Sequence, residues 1–295
     1  MRIRATVAAL SGTLALSALA VPAAQAVDGP AAGPQLAAAV AKAAQGADTR
    51  ADAHADTRVG ARAAAGTAKI TKVSVNGGKD VSIGTTEKKK FKVSVTATAP
   101  SGIAAGSAFI WHGPDKNHAD AVLAPEDFEG TCVVVNATTS TCTVTVVADP
   151  KADIFANTAA GGGWKVFANV GANDGTGAGV EDAKADAGVL RAARLTTNAS
   201  PEPVKKGKTL TVTGALTRAN WETHKYAGYT KQSVKLQYKK KGASSYTTLK
   251  TIKSDTKGNL KTTVKASADG YFRYVFAGTS TTPAVTSTSD FVDVN

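Results

Sequence analysis

From Ala68 onward, apolar and polar side chains alternate with a period of two: Ile70, Val73 and Val75, then Phe91, Val93, Val95 and Ala97, then Ala108 to Trp111. Alternation at that period describes strands with one buried and one solvated face. Two Val-rich runs flank the polar turn Asn136 to Ser140, and Trp164 to Val170 and Gly188 to Leu195 follow. Clusters such as Asn76-Gly77-Gly78 and Ala99-Pro100-Ser101-Gly102 punctuate the runs as turns. About seven short strands in residues 68–195 predict a β-sandwich. A second series begins after Asn198-Ala199-Ser200-Pro201-Glu202-Pro203. It runs through Leu210 and Val212, Val234, Leu236 and Tyr238, Leu249 and Ile252, Leu260 and Val264, then Phe272, Tyr274 and Phe276, and ends on Phe291, Val292 and Val294. Residues 196–295 therefore predict a second, smaller sandwich, and the chain is all-β. Tyr271, which follows Asp269-Gly270 at a strand start, is expected to make the tyrosine corner of such a fold.

The first 67 residues follow neither pattern. Arg2 and Arg4 precede an apolar stretch from Leu10 to Val21 and the triplet Ala24-Gln25-Ala26, the layout of a secretory signal peptide spanning 1–26. No later apolar run approaches the roughly 18 residues that cross a bilayer, so the mature chain is expected to have no transmembrane segment and to be secreted, extracellular or associated with the cell wall. Residues 27–67 are Ala-rich, with almost no large apolar side chains. Leu36 and Val40 would share a helical face, but an isolated helix of this length is marginal in water, and a disordered leader is expected. In an oxidising compartment Cys132 and Cys142, ten residues apart, are expected to pin a hairpin across its two strands. Their spacing does not fit a catalytic CxxC pair.

The segments PVKKGKTLTVTGALTR, YAGYTKQSVKLQYKKKG, SDTKGNLKTTV and DGYFRYVFAGTSTT resemble the Ig-like C-terminal module of secreted actinobacterial proteins. KVSVNGGKDVSIGTTEKKKFKVSVTA, SAFIWHG, the Cys hairpin and ANVGANDGTG are similar to the N-terminal Ig-like half of the same group. The resemblance implies two Ig-like sandwiches in tandem and export. Some members carry the label calcium-binding protein, and no catalytic residue is carried over.

Charge separates the two halves. Residues 27–195 hold 17 Lys plus Arg and 17 Asp plus Glu, whereas residues 196–295 hold 16 basic and 6 acidic residues and all six tyrosines. The basicity of the mature chain therefore lies entirely in the second sandwich. Lys225, Tyr226, Tyr229, Lys231, Lys239, Lys240 and Lys241 interleave cations with rings, a composition that suits an anionic polymer such as a teichoic acid, an acidic polysaccharide or extracellular DNA. Lysine on the wet face of a strand is also an ordinary choice for solubility.

Calcium requires several oxygen ligands on short loops. One candidate set is Asp115, Asn117, Asp120 and Glu126, in which Ala119 and Asp120 break the EF-hand pattern. The other is Asn173, Asp174, Glu181 and Asp182. His112 and His118 share a loop with Asp115 and Asp120, but no HExxH, GxSxG or SxxK motif accompanies them. The sequence thus points to a secreted, non-enzymatic binding or adhesion module whose basic C-terminal domain docks on an anionic polymer. The alternatives are a calcium-binding structural protein and an effector or inhibitor of a protein partner.

Overall fold

The computed structural model describes residues 35–43 and 67–295. The expected signal peptide and most of the expected leader lie outside the described residues. The first set of strands is β1 (Lys69–Val75), β2 (Val81–Ile83), β3 (Lys89–Thr98), β4 (Ile103–His112), β5 (Ala121–Leu123), β6 (Thr131–Asn136), β7 (Thr139–Ala148), β8 (Lys165–Ala172), β9 (Gly177–Lys184) and β10 (Val189–Arg191). They build two four-stranded sheets, ordered β1-β3-β7-β6 and β5-β4-β8-β9, with β2 and β10 paired in parallel. Inward residues such as Val93, Val95, Val144, Ile110 and Val166 interdigitate between the two sheets. The second set is β11 (Ala193–Leu195), β12 (Asn198–Ser200), β13 (Thr209–Asn220), β14 (Lys225–Gly228), β15 (Ser233–Lys240), β16 (Thr247–Lys253), β17 (Asn259–Lys265), β18 (Gly270–Phe276), β19 (Val285–Thr286) and β20 (Asp290–Val292). Here β13 pairs with β11, β12, β14 and β17 in one sheet, while β16-β15-β18 form the other, with β19 and β20 both on the far side of β18. A separate core of Leu210, Val212, Leu236, Leu260, Phe272 and Tyr274 lies between them. The fold is all-β, and no helix among the described residues is long and apolar enough to cross a membrane.

Cys132 and Cys142 are directly opposed on β6 and β7 and form the expected disulfide. Gly106 makes room for it, because a Cβ there would stand 2.7 Å from the Cβ of Cys142. Replacing both cysteines by alanine is expected to lower stability by about 2–3 kcal/mol on the chain-entropy account of so short a loop. Chemical denaturation of the oxidised protein and of the variant checks it.

Two expectations are corrected. Residues 35–43, placed in a disordered leader, form a helix, α1, whose Leu36, Ala39 and Ala43 are buried against Phe109, Trp111 and Phe167. Packing on a sheet supplies the stability that a nine-residue helix lacks alone. Tyr271 does not make the corner bond. Gly270 lies against the Tyr238 ring, and Tyr238 Oη donates to the carbonyls of Ala268 (2.8 Å) and Asp269 (3.1 Å), while Tyr271 alternates to the outer face. Trp221, which follows β13 in the second half, is fully buried within the first core.

In the loop after β7, burial pushes the Asp153 carboxyl up to about 6 from 3.8, although its side chain accepts the Asp149 N–H at 2.6 Å. A carboxyl whose folded value is raised favours the fold in its protonated form. That contribution is complete below about pH 4 and fades as pH rises through 6. Asp153→Asn should therefore raise Tm at pH 8 and leave it nearly unchanged at pH 4, as thermal melts at the two pH values would show.

Candidate functional site

Strand periodicity decides which cations of the second sandwich share a face. On β15, Val234 and Leu236 are buried, so Lys235, Gln237 and Lys239 point outward. On β18, buried Phe272, Tyr274 and Phe276 leave Tyr271 and Arg273 outward. Register then sets Lys239 beside Tyr271 and Gln237 beside Arg273. Arg273 Nε donates to Gln237 Oε1 at 2.9 Å, and its guanidinium lies 3.6 Å from the centre of the Tyr246 ring. Lys239 Nζ is 5.2 Å from Tyr246 and 5.1 Å from Tyr271. Tyr271 packs on Phe291 at 5.1 Å, and Lys241 Nζ stands 5.5 Å from Phe291. Tyr246 Oη and Ser289 Oγ are 2.5 Å apart. Because Tyr246 precedes β16 and Ser289 lies between β19 and β20, this contact lays Tyr246 across β15 and β18.

The result is an open sheet face on which Lys239, Lys241 and Arg273 are held against three rings. Such contacts contribute about 0.5–1 kcal/mol each at exposed positions. They also restrain long side chains before a ligand arrives, which lowers the ordering entropy of binding. Lys241 lies 3.5 Å from Asp269, whereas no carboxylate pairs with Lys239 or Arg273 among the described residues.

Of the seven residues singled out for polymer binding, only Lys239 and Lys241 belong to this face. Lys240 alternates away from the rings and lines a shallow groove with Lys206 and Asp269, whose rim Lys241 shares. Tyr226 packs against the first core beneath Arg194, whose guanidinium is 3.7 Å from its ring. Tyr229 packs edge-on to Phe276 and under Arg218, with Phe276 5.7 Å and Arg218 4.1 Å from its ring centre. Lys225, at the start of β14, and Lys231, before β15, are exposed and stand over none of the three rings of this face. Sequence alone does not assemble Tyr246, Tyr271, Arg273 and Phe291, because two separate strands and a loop supply them.

The acidic candidates are divided by the fold. Asp115 caps the turn after β4, accepting from Asn117 N at 2.8 Å and His118 N at 3.1 Å. The hydrogen bond from His118 Nδ1 is foremost in holding its pKa below the usual carboxylate range. Glu181 and Asp182, on β9, share a groove with Asp115, Trp111 and Lys165, but Lys116 pairs with Glu181 there. Asn173 and Asp174 sit in the β8–β9 turn. Asn173 Nδ2 donates to Ser101 O, and Asp174 accepts from Thr176 Oγ1 (2.7 Å) and N (3.0 Å), which lower its pKa. Asn117 and Glu126 are exposed. Among the described residues no three His, Cys, Asp or Glu side chains converge as a cation site. His112 Nδ1 lies 2.6 Å from Asp120 Oδ1, and the Thr158 hydroxyl donates to Asp120, not to the imidazole.

No protein-family model and no curated protein matches the chain. Solved structures similar to it include fibronectin(III)-like modules of Clostridium thermocellum CbhA, with 11% identity over 76% of this chain and 93% of that one and a TM-score of 0.29. An I-band fragment of titin shows 14% identity over 79% of this chain and 66% of that one, with a TM-score of 0.32. The superoxide reductase (neelaredoxin) of Ignicoccus hospitalis shows 11% identity over 34% of this chain and 80% of that one, with a TM-score of 0.25.

Proposed function

We propose that this is a secreted, non-enzymatic binding module that holds an anionic extracellular or wall polymer on the outer face of the β15–β18 sheet. One observation carries the proposal: Lys239, Lys241 and Arg273 are set against Tyr246, Tyr271 and Phe291 on one open face, with no carboxylate partner for Lys239 or Arg273 among the described residues. Lys235 and, on β16, Lys253 extend the same face by alternation. Successive outward residues on a strand are about 6.7 Å apart, and neighbouring strands about 4.8 Å, so a flexible polymer can meet several of these cations at once. A flat, solvent-open sheet suits a repeating chain better than a single small molecule, which would need a concave site.

The test is a titration of the protein with purified teichoic acid at 50 and 200 mM salt. Counterion release by about five cations predicts an affinity loss of roughly a hundredfold over that range. Binding insensitive to salt, or absent at 50 mM, overturns the proposal.

A further inference from the structure

The outer face of the β4–β8 sheet is apolar, although it lies outside the core between the sheets of the first sandwich. Phe109 and Phe167 stack there at 4.8 Å, Phe128 meets Phe109 edge-on at 6.2 Å, and Trp111 and Val122 extend the shelf. Left bare, such a surface would be a sticky patch. It is covered by α1, which lays Leu36, Ala39, Val40 and Ala43, at positions i, i+3, i+4 and i+7, onto it. The two small alanines let the helix sit close to the rings.

The polar ties between helix and shelf are few. Gln35 Nε2 donates to Ala152 O at 3.2 Å, and Asn169 Nδ2 donates to Ala43 O at 2.9 Å, taking up a carbonyl at the helix's C-terminal end. Asn169 faces Ser107 across the β4–β8 ladder. The buried Ser107 Oγ and Asn169 Oδ1 have no partner among the described residues. The shelf therefore has an apolar floor and a polar end aimed at a helix terminus, the form of a helix-in-groove receptor.

We infer that this groove is a docking site for the leader segment of a second copy of the chain, and that α1 occupies it in its own chain as an exchangeable ligand. Residues 44–66, 23 in number, connect α1 to the first sandwich and can reach at most roughly 75 Å. A connection of that length fixes no particular donor. It sets an effective concentration of at most about millimolar for the helix of the same chain. At micromolar concentrations a chain accordingly fills its own groove. At high local density the same contacts form between copies at no cost in new surface. Nothing in this inference depends on the β15–β18 face.

Two full-length variants test it. Leu36→Asp spoils the helix and leaves the groove intact, and Phe167→Asp spoils the groove and leaves the helix intact. Mixed at several hundred micromolar, they should form a one-to-one dimer by light scattering, while each alone stays monomeric. A mixture that stays monomeric although both variants retain the β-sheet signal of the wild-type circular dichroism spectrum overturns the inference. A second measurement does not need Phe167→Asp: a labelled peptide of residues 33–46 is titrated onto the Leu36→Asp chain and onto wild type. Binding at least tenfold tighter to Leu36→Asp, whose groove is vacant, supports exchange. No binding, or equal binding to both, overturns it.

Discussion

Replacing Trp221 by alanine is expected to cost about 3–5 kcal/mol and to turn a single melting transition into two. The indole belongs to the second half of the chain by sequence but is fully buried in the core of the first. Its Nε1 donates to Gly84 O at 3.0 Å, and its backbone N–H donates to Asn157 Oδ1 at 3.0 Å. Asn157 in turn donates through Nδ2 to Asn220 Oδ1 and through its backbone N–H to Glu222 Oε1, each at 2.9 Å. Close by, Arg191 Nε donates to Ala219 O, and Arg191 N donates to Thr281 O at 3.0 Å. Alanine would leave a cavity of indole size at the joint and orphan the Gly84 carbonyl. Either half then loses much of what ties its unfolding to the other. Calorimetry of wild type and variant checks both the loss and the splitting. A variant that melts in one transition within 1 °C of wild type would show that the joint contributes little to stability.

Reversing two charges on the second sandwich is the other large effect. Lys239→Glu with Arg273→Glu removes two of the about five cations proposed to meet the polymer and places repulsive charge among the rest, so affinity at 50 mM salt should fall at least tenfold. The salt slope should flatten, because fewer counterions are released. Both side chains are outward and half-buried, so the change forfeits their ring contacts, about 0.5–1 kcal/mol each, and leaves the core of the second sandwich intact. Lys225→Glu with Lys231→Glu is the control. It makes the same change in net charge away from the three rings of the β15–β18 face and should reduce affinity severalfold less.

Much of the fold is legible in the sequence because period-two alternation is a local property. Val93 and Val95, or Phe272, Tyr274 and Phe276, announce which face is buried before any partner strand is known, and Cys132 and Cys142 declare a cross-strand pair by their spacing. What escapes is set by pairing between distant segments. Leu36 and Val40 are visibly spaced for one helical face, yet nothing near them reveals the Phe109–Phe167 shelf that makes the helix stable. Trp221 looks like a residue of the second core and is buried in the first, since the turn after β13 projects across the joint. Lys239 and Lys241 stand out in a run of lysines. Tyr246, Tyr271, Arg273 and Phe291 join them only once register sets β15 beside β18 and the Tyr246–Ser289 contact lays a ring across both strands. Tyr226 and Tyr229 carry the same local signal as Tyr246, and neighbours supplied by other strands turn them to packing instead.

An anionic polymer held on the outer face of the β15–β18 sheet must perturb the amides and rings of that face. The most direct measurement is a nuclear magnetic resonance titration of isotope-labelled protein with teichoic acid at 50 mM salt, following backbone amides and the ring signals of Tyr246, Tyr271 and Phe291. A polymer held there should give saturable shifts confined to residues 235–241, Tyr246, Lys253, 271–273 and Phe291, reversed at 500 mM salt. Shifts centred on the Trp111–Lys165 groove of the first sandwich, or no shifts on the β15–β18 face at polymer excess, would contradict the proposal.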